Sequence, residues 1–260
     1  NALRGYYGAV YPCDYGGAKH CDVASRPAGG PLMNHHQKIV KDTPRFLIIN
    51  PNTNNTVTDN IREVVHSISP PGVMTEVTSP PHGPYAIETE QDKAAATQQV
   101  LALIQRRNAE GFSGYIMACF DDIAIAEARI LTQVPVISLA EAAIRHAAAT
   151  GGQFTVITTF DEAVPTIASL SESYGLNMRC RVVATGIGVA DTAAQTELAE
   201  ARLHEAIQEA IRLNLTPIVL GSGACAGRAK ALRRRYNIDI VDGFIEALDY
   251  TLLQAQVVKN

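Results

Sequence analysis

Cys119 lies within the stretch Tyr115-Ile116-Met117-Ala118-Cys119-Phe120-Asp121-Asp122, an apolar run that ends in a polar cluster. Such a run reads as a buried strand of a parallel sheet, and the Ala- and Ile-rich segment 123–131 behind it reads as a helix. The thiol therefore stands where a strand ends and a helix begins, which is where open α/β sheets bind their ligands. A helix N-terminus favours the thiolate, so a thiol of lowered pKa, suited to proton transfer, is expected there. Free cysteine also packs well in cores, and position alone leaves packing and chemistry evenly matched.

A second copy of the pattern favours chemistry. Pro217-Ile218-Val219-Leu220-Gly221-Ser222-Gly223-Ala224-Cys225-Ala226-Gly227 is again a short apolar strand running into small residues and then a helix, 228–236. Sliding one copy onto the other without gaps sets Ser222, not Cys225, opposite Cys119. The loop Asn50-Pro51-Asn52-Thr53 after a first strand has its counterpart in Thr158-Thr159-Phe160-Asp161 after the strand 154–157. Amides and hydroxyls at the start of a helix can cap it, and they can equally seat an anionic or carbonyl oxygen. Gly221-Ser222-Gly223 also has the outline of a dinucleotide fingerprint, but the third glycine comes one place late and the loop is not in the first βα turn. A non-catalytic binder of a small carboxylate on the same scaffold is the other class of reading.

These loops need elements to hold them. Strands are expected at 45–49, 73–77, 115–118, 134–137, 154–157, 181–184, 218–220 and 238–241. Helices are expected at about 57–67, 90–108, 123–131, 163–174, 193–213, 228–236 and 242–256. After 134–137, Ser138 and Glu141 form a Ser-x-x-Glu capping box, which accounts for Glu141 without a catalytic role, and His146 one turn on is read as a helix-face residue. Alternating strands and helices imply parallel sheets with helices on both faces. The expected architecture is therefore α/β: two similar flavodoxin-like domains, 43–138 with 242–260 and 139–241, facing each other across a cleft with pseudo-twofold symmetry.

Composition narrows the function classes. The chain has 260 residues, 47% hydrophobic and 18% charged, with a net charge of −4, which speaks against nucleic-acid or membrane-surface partners. No apolar run approaches the roughly 20 residues of a membrane span. The five cysteines, Cys13, Cys21, Cys119, Cys180 and Cys225, form neither a disulfide framework nor a CxxC pair, which fits a reducing cytoplasmic setting. Residues 1–42 lack any sustained period and read as a disordered or non-native extension with Met33 a plausible native start. Cys13, His20 and Cys21 fall short of the four ligands of a closed metal site, so no metal is expected. The expected partners are a small-molecule substrate and, at most, further copies of the same chain.

Asn50-Pro51-Asn52-Thr53, Gly83-Pro84 with Ile87-Glu88, Ala118-Cys119-Phe120 with Asp122, Ala140-Glu141-Ala142-Ala143-Ile144 and Ile218-Val219-Leu220-Gly221 together resemble the aspartate/glutamate/hydantoin racemase superfamily, nearest its hydantoin and allantoin branch. The resemblance runs from about Arg45 to the C-terminus. It implies a racemase without a cofactor, in which a cysteine from each domain flanks the substrate Cα, one thiolate removing its proton while the opposite thiol delivers one. Carried over, Cys119 matches the first cysteine. At the second, the family reads Leu-Gly-Cys-Ala-Gly where this chain has Leu220-Gly221-Ser222-Gly223-Ala224-Cys225, so either Ser222 holds the position or Cys225 reaches it through a rearranged loop. Asn50, Asn52, Thr53, Asp122, Thr158, Thr159, Gly221, Gly223 and Ala224 are the implied substrate-binding residues, several of them able to stabilise enolate charge. A one-thiol decarboxylase or a cis–trans isomerase of a small diacid on the same scaffold is the alternative.

Overall fold

The computed structural model describes residues 43–176 and 178–258; the segment 1–42, with Cys13, His20, Cys21 and the extension expected there, lies outside the described residues. The strands are β1 Arg45–Ile49, β2 Met74–Thr78, β3 Gly114–Met117, β4 Val136–Ser138, β5 Phe154–Thr158, β6 Cys180–Ala184, β7 Ile218–Leu220 and β8 Ile240–Val241. They form two four-stranded sheets, in the orders β2-β1-β3-β4 and β6-β5-β7-β8. All pairings are parallel. Each sheet has the flavodoxin-like order, with its crevice outside the carboxyl ends of the first and third strands.

Side-chain alternation decides how the sheets are covered. Phe46, Ile48 and Ile116 point into one buried cluster, and Phe154, Val156, Val219 and Val241 of the other sheet join the same cluster. Their neighbours Leu47, Ile49, Tyr115 and Met117 face a second cluster, and Ile157, Ile218, Leu220 and Ile240 a third. Strands buried on both faces explain the near-continuous apolar runs. The inner faces of both sheets thus share a single core, and the outer faces are covered separately.

Several helices start at a side-chain cap. Asn54 accepts from the N–H groups of Thr56 and Val57 at the head of helix Asn55–Ile68, and Thr89 forms a reciprocal capping box with Asp92 at helix Glu90–Arg107. The box expected at Ser138 is only half made: Ser138 Oγ accepts from the Glu141 N–H at 3.0 Å, but the Glu141 carboxylate turns to Arg145 at 2.8 Å. The helix expected from 193 begins at Glu197, because the chain breaks at Gln195 (φ 53°) after a separate short helix Val189–Ala193. The helix behind Cys119 is likewise shorter, Ile125–Leu131, since Asp122 and Ala124 adopt left-handed backbone at φ 50° and 59°. The C-terminal helix Phe244–Val258 packs on β3 and β4. Gly114 permits this, as a Cβ there would stand 2.5 Å from Thr251 Cγ2. Among the described residues no helix is long and apolar enough to cross a membrane.

Candidate active site

The loops that leave β1, β3, β5 and β7 converge on one cavity of about 30 Å³, lined by Asn50, Asn52, Cys119, Asp121, Thr158, Thr159, Ser222 and Gly223 among polar and small residues, and by Val57, Ile87, Phe160, Ile167 and Val189 on its apolar side. The two catalytic-loop candidates touch directly. A Cβ on Gly223 would lie 2.6 Å from the Ala118 carbonyl oxygen, so only glycine lets the Ser222 loop approach the Cys119 loop this closely. Gly223→Ala should separate the loops and destabilise the protein by about 1–3 kcal/mol, the usual range for overpacking, and differential scanning calorimetry would register it. An unchanged melting temperature would mean that the contact is not as close as described.

The halves are also tied around the cavity. Tyr174 Oη donates to Asp122 Oδ2 at 2.8 Å, Lys93 Nζ to Thr166 Oγ1 at 2.9 Å, and the Val189 N–H to Glu88 Oε1 at 3.1 Å. Each bond joins an element of the first sheet's half to one of the second's.

The Asn-rich loop is fixed by its own side chains. Asn50 Nδ2 donates to Asn52 Oδ1 at 2.8 Å and to Thr58 Oγ1 at 3.0 Å, which commits both of its protons. Asn52 Oδ1 also accepts from the Asn54 N–H at 3.0 Å, which orients its amide. Among the described residues Asn52 Nδ2 has no hydrogen bond, so it is the free donor of this loop at the cavity. Thr158 Oγ1 is spent on the Gly221 carbonyl at 3.1 Å. Ser222 Oγ accepts from the Ala224 N–H at 3.2 Å, which leaves its own proton free to point into the cavity.

Three residues expected at the site stand elsewhere. Thr53 is turned to the Pro84 carbonyl, which takes both its hydroxyl (3.2 Å) and its N–H (2.9 Å). Asp122 is held by Ser138 Oγ and Tyr174 Oη and does not line the cavity. Cys225 closes the 3-10 turn Gly223–Cys225 and packs with Leu203, Ile207 and Leu232 in the outer core of the second sheet, where burial pushes its thiol up to about 11. Of the two second positions left open by the sequence, only Ser222 faces the cavity. His146 lies away from it, 3.8 Å from Asp239 and from Glu246. Among the described residues no group of metal-ligating side chains is present.

The Cys119 environment differs from the helix-terminus picture. Its thiol is held well above the usual cysteine value, first by burial and then by the Asp121 carboxylate, whose Oδ2 is 3.7 Å from Sγ. The reason is the left-handed backbone at 122 and 124, which delays the helix and leaves carboxylates as the nearest charges. Asp121 itself was not singled out by sequence. Its only signal was its place in the polar cluster, and the backbone at Asp122 decides which of the adjacent carboxylates meets the cavity.

The sequence profile of the Asp/Glu/Hydantoin racemase family matches residues 46–251. The chain belongs to that family. As a member it is an enzyme of the isomerase class, a racemase. A hydantoin racemase of Rhizobium meliloti is 30% identical over 203 residues, spanning 77% of this chain and 84% of the relative. Allantoin racemase from Klebsiella pneumoniae superposes with a TM-score of 0.78 at 29% identity, covering 82% of this chain and 88% of that one. Allantoin racemase from Pseudomonas fluorescens gives 0.76 at 27% identity, covering 82% and 91%. The family's fold accounts for two sheets of like order with their loops meeting at one site.

Proposed function

We propose that this racemase inverts the Cα of a hydantoin-type ring, hydantoin or allantoin, with Cys119 exchanging the proton on one face and the Ser222 hydroxyl relaying one to the other. The observation that carries this reading is the single cavity shared by Cys119 and Ser222. The kinship to hydantoin and allantoin racemases supports the substrate class. So does the lining, which includes the Asp121 carboxylate and, among the described residues, no Lys, Arg or His. A free carboxylate would meet the Asp121 carboxylate there, and the nearest cation, Lys93, is already paired with Asp121 and does not line the cavity, whereas a ring offers neutral N–H and C=O groups. Asn52 Nδ2 is placed to hydrogen-bond the carbonyl oxygen on which enolate charge develops. The chemistry draws only on side chains of this chain.

A cavity of about 30 Å³ holds roughly a water or two, not a hydantoin ring, so the ties between the halves must open for substrate and re-form around it. The test is a panel of single enantiomers of hydantoins, allantoin, aspartate and glutamate in deuterium oxide, followed by optical rotation and Cα–H exchange. Hydantoin-type rings should exchange from both enantiomers. Turnover of aspartate or glutamate alone would refute the substrate class. Ser222, a poor partner for symmetric proton exchange, favours a second reading, a one-thiol decarboxylase or cis–trans isomerase of a small diacid. It would show as product protonated on one face only, and the absence of a cation in the described lining weighs against a diacid.

Asn52→Ala should lower kcat by about tenfold, the worth of one well-made hydrogen bond, with little change in KM. Steady-state polarimetry would check it, and an effect confined to KM would place Asn52 in ground-state binding instead.

A further inference from the structure

We propose that Asp121 is the acceptor for the Cys119 thiol proton, with Lys93 stabilising the carboxylate, so that the thiolate forms by transfer inside the site rather than by ionisation to solvent. The proposal rests on the reading of Cys119 as the acid/base thiol. Its geometry is a chain of three side chains. Cys119 Sγ is 3.7 Å from Asp121 Oδ2, within reach of a thiol hydrogen bond, and Asp121 Oδ1 is 3.5 Å from Lys93 Nζ. That oxygen is buried and makes no hydrogen bond, so the contact with Lys93 is an ion pair without an aligned donor. Lys93 is itself fixed, with Nζ bonded to Glu90 Oε1 at 2.8 Å and to Thr166 Oγ1 at 2.9 Å.

The charged groups that face this chain are few. Cys119 meets Asp121 and, more weakly, Asp122; Asp121 meets Lys93 and Glu90. Asp122 is the poorer acceptor: the thiol's hydrogen bond goes to Asp121, and Asp122, which accepts from Ser138 and Tyr174, does not line the cavity. Asp121 alone combines a lone pair directed at the thiol with a place on the cavity wall.

The step balances without any co-reactant. The S–H bond of Cys119 breaks, its proton passes to Asp121 Oδ2, and the electron pair stays on sulfur; the thiolate then takes the Cα proton and becomes a thiol again. Before and after the transfer the pair carries one negative charge, so no second charge is forced into a buried site. Ionisation to solvent would place thiolate and carboxylate side by side. Asp121 also explains how a thiol whose surroundings disfavour ionisation can act near neutral pH.

A substrate-independent measurement tests this. The alkylation rate of Cys119 by iodoacetamide is followed against pH on the full chain by peptide-resolved mass spectrometry, so that Cys13, Cys21, Cys180 and Cys225 are read separately. With the relay, the thiolate fraction is set by proton sharing within the pair, and the rate should be flat over about two pH units around neutrality. In Asp121→Asn the acceptor is gone, and the rate should fall about tenfold for each unit below the thiol pKa. Lys93→Met removes the cation that favours the ionised carboxylate, so the Asp121 pKa rises and the acid edge of the flat region should move up by about one unit or more. Equal slopes in the wild type and Asp121→Asn would overturn the relay, as would an unmoved acid edge in Lys93→Met. A flat, variant-sensitive profile without hydantoin turnover would uphold this inference and remove the proposed substrate; turnover with a sloped wild-type profile would do the reverse.

Discussion

Alanine in place of Cys119 is expected to abolish racemisation and Cα–H exchange from both enantiomers of the substrate, a loss on the order of 10²–10⁴, the range for a positioned proton-transfer group. Cys119 is the only thiol among the described residues that lines the cavity, since Cys225 packs in the outer core and Cys180 lies on β6. No neighbour can substitute for it. Asp121 touches the substrate face only as part of the pair, and Asn50 and Thr158 have committed their donors within the protein. Because Cys119 is half-buried and the substitution removes one atom at a cavity, the fold should survive, and circular dichroism with a melting curve would confirm that the loss is chemical. A variant that kept more than about a tenth of wild-type turnover would exclude Cys119 from the proton transfer, because general acid–base groups contribute more than that.

Cysteine in place of Ser222 is expected to raise racemisation by about a hundredfold, because a thiol transfers protons near neutral pH far more readily than a hydroxyl does. The substitution changes one atom in the lining that Ser222 shares with Cys119 and leaves the neighbouring glycines in place. The companion variant Cys225→Ala should leave kcat/KM nearly unchanged while costing about 1 kcal/mol of stability, as truncation of a buried side chain does. Chiral chromatography of both reactions decides the matter. If Cys225→Ala were as inactive as Cys119→Ala while Ser222→Ala were mild, the Gly-rich loop must rearrange to bring Cys225 into the site.

Much of the fold was legible because it depends on local patterns. Apolar strands alternating with capped helices announce parallel sheets, and the repeat of strand, polar loop and helix announces two of them in the same order. The gapless repeat set Ser222 opposite Cys119, and both do line one cavity. What could not be read depended on contacts distant in sequence or on single backbone angles. The φ of 50° at Asp122 selects Asp121 for the cavity, and no propensity scale foretells a left-handed aspartate. Thr53 is drawn off by Pro84, 31 positions away. The Cys119 thiol shifts upward because burial and Asp121 outweigh a helix terminus that lies further on than its sequence suggests.

The core shared by the inner faces bears on folding cooperativity. Phe46, Ile48 and Ile116 belong to the same buried cluster as Phe154, Val156 and Val219, and the helix Leu139–Ala149, which contacts β4 of one sheet, β5 and β7 of the other and the C-terminal helix, carries that cluster from one half to the other. Either half alone would present to water the apolar helix faces that now meet in this cluster, losing roughly 25 cal/mol for each Å² exposed. Although the halves repeat one topology, they cannot melt as independent repeats. Damage to the packing of either sheet is felt by both, and the catalytic loops at their carboxyl ends keep or lose their alignment together.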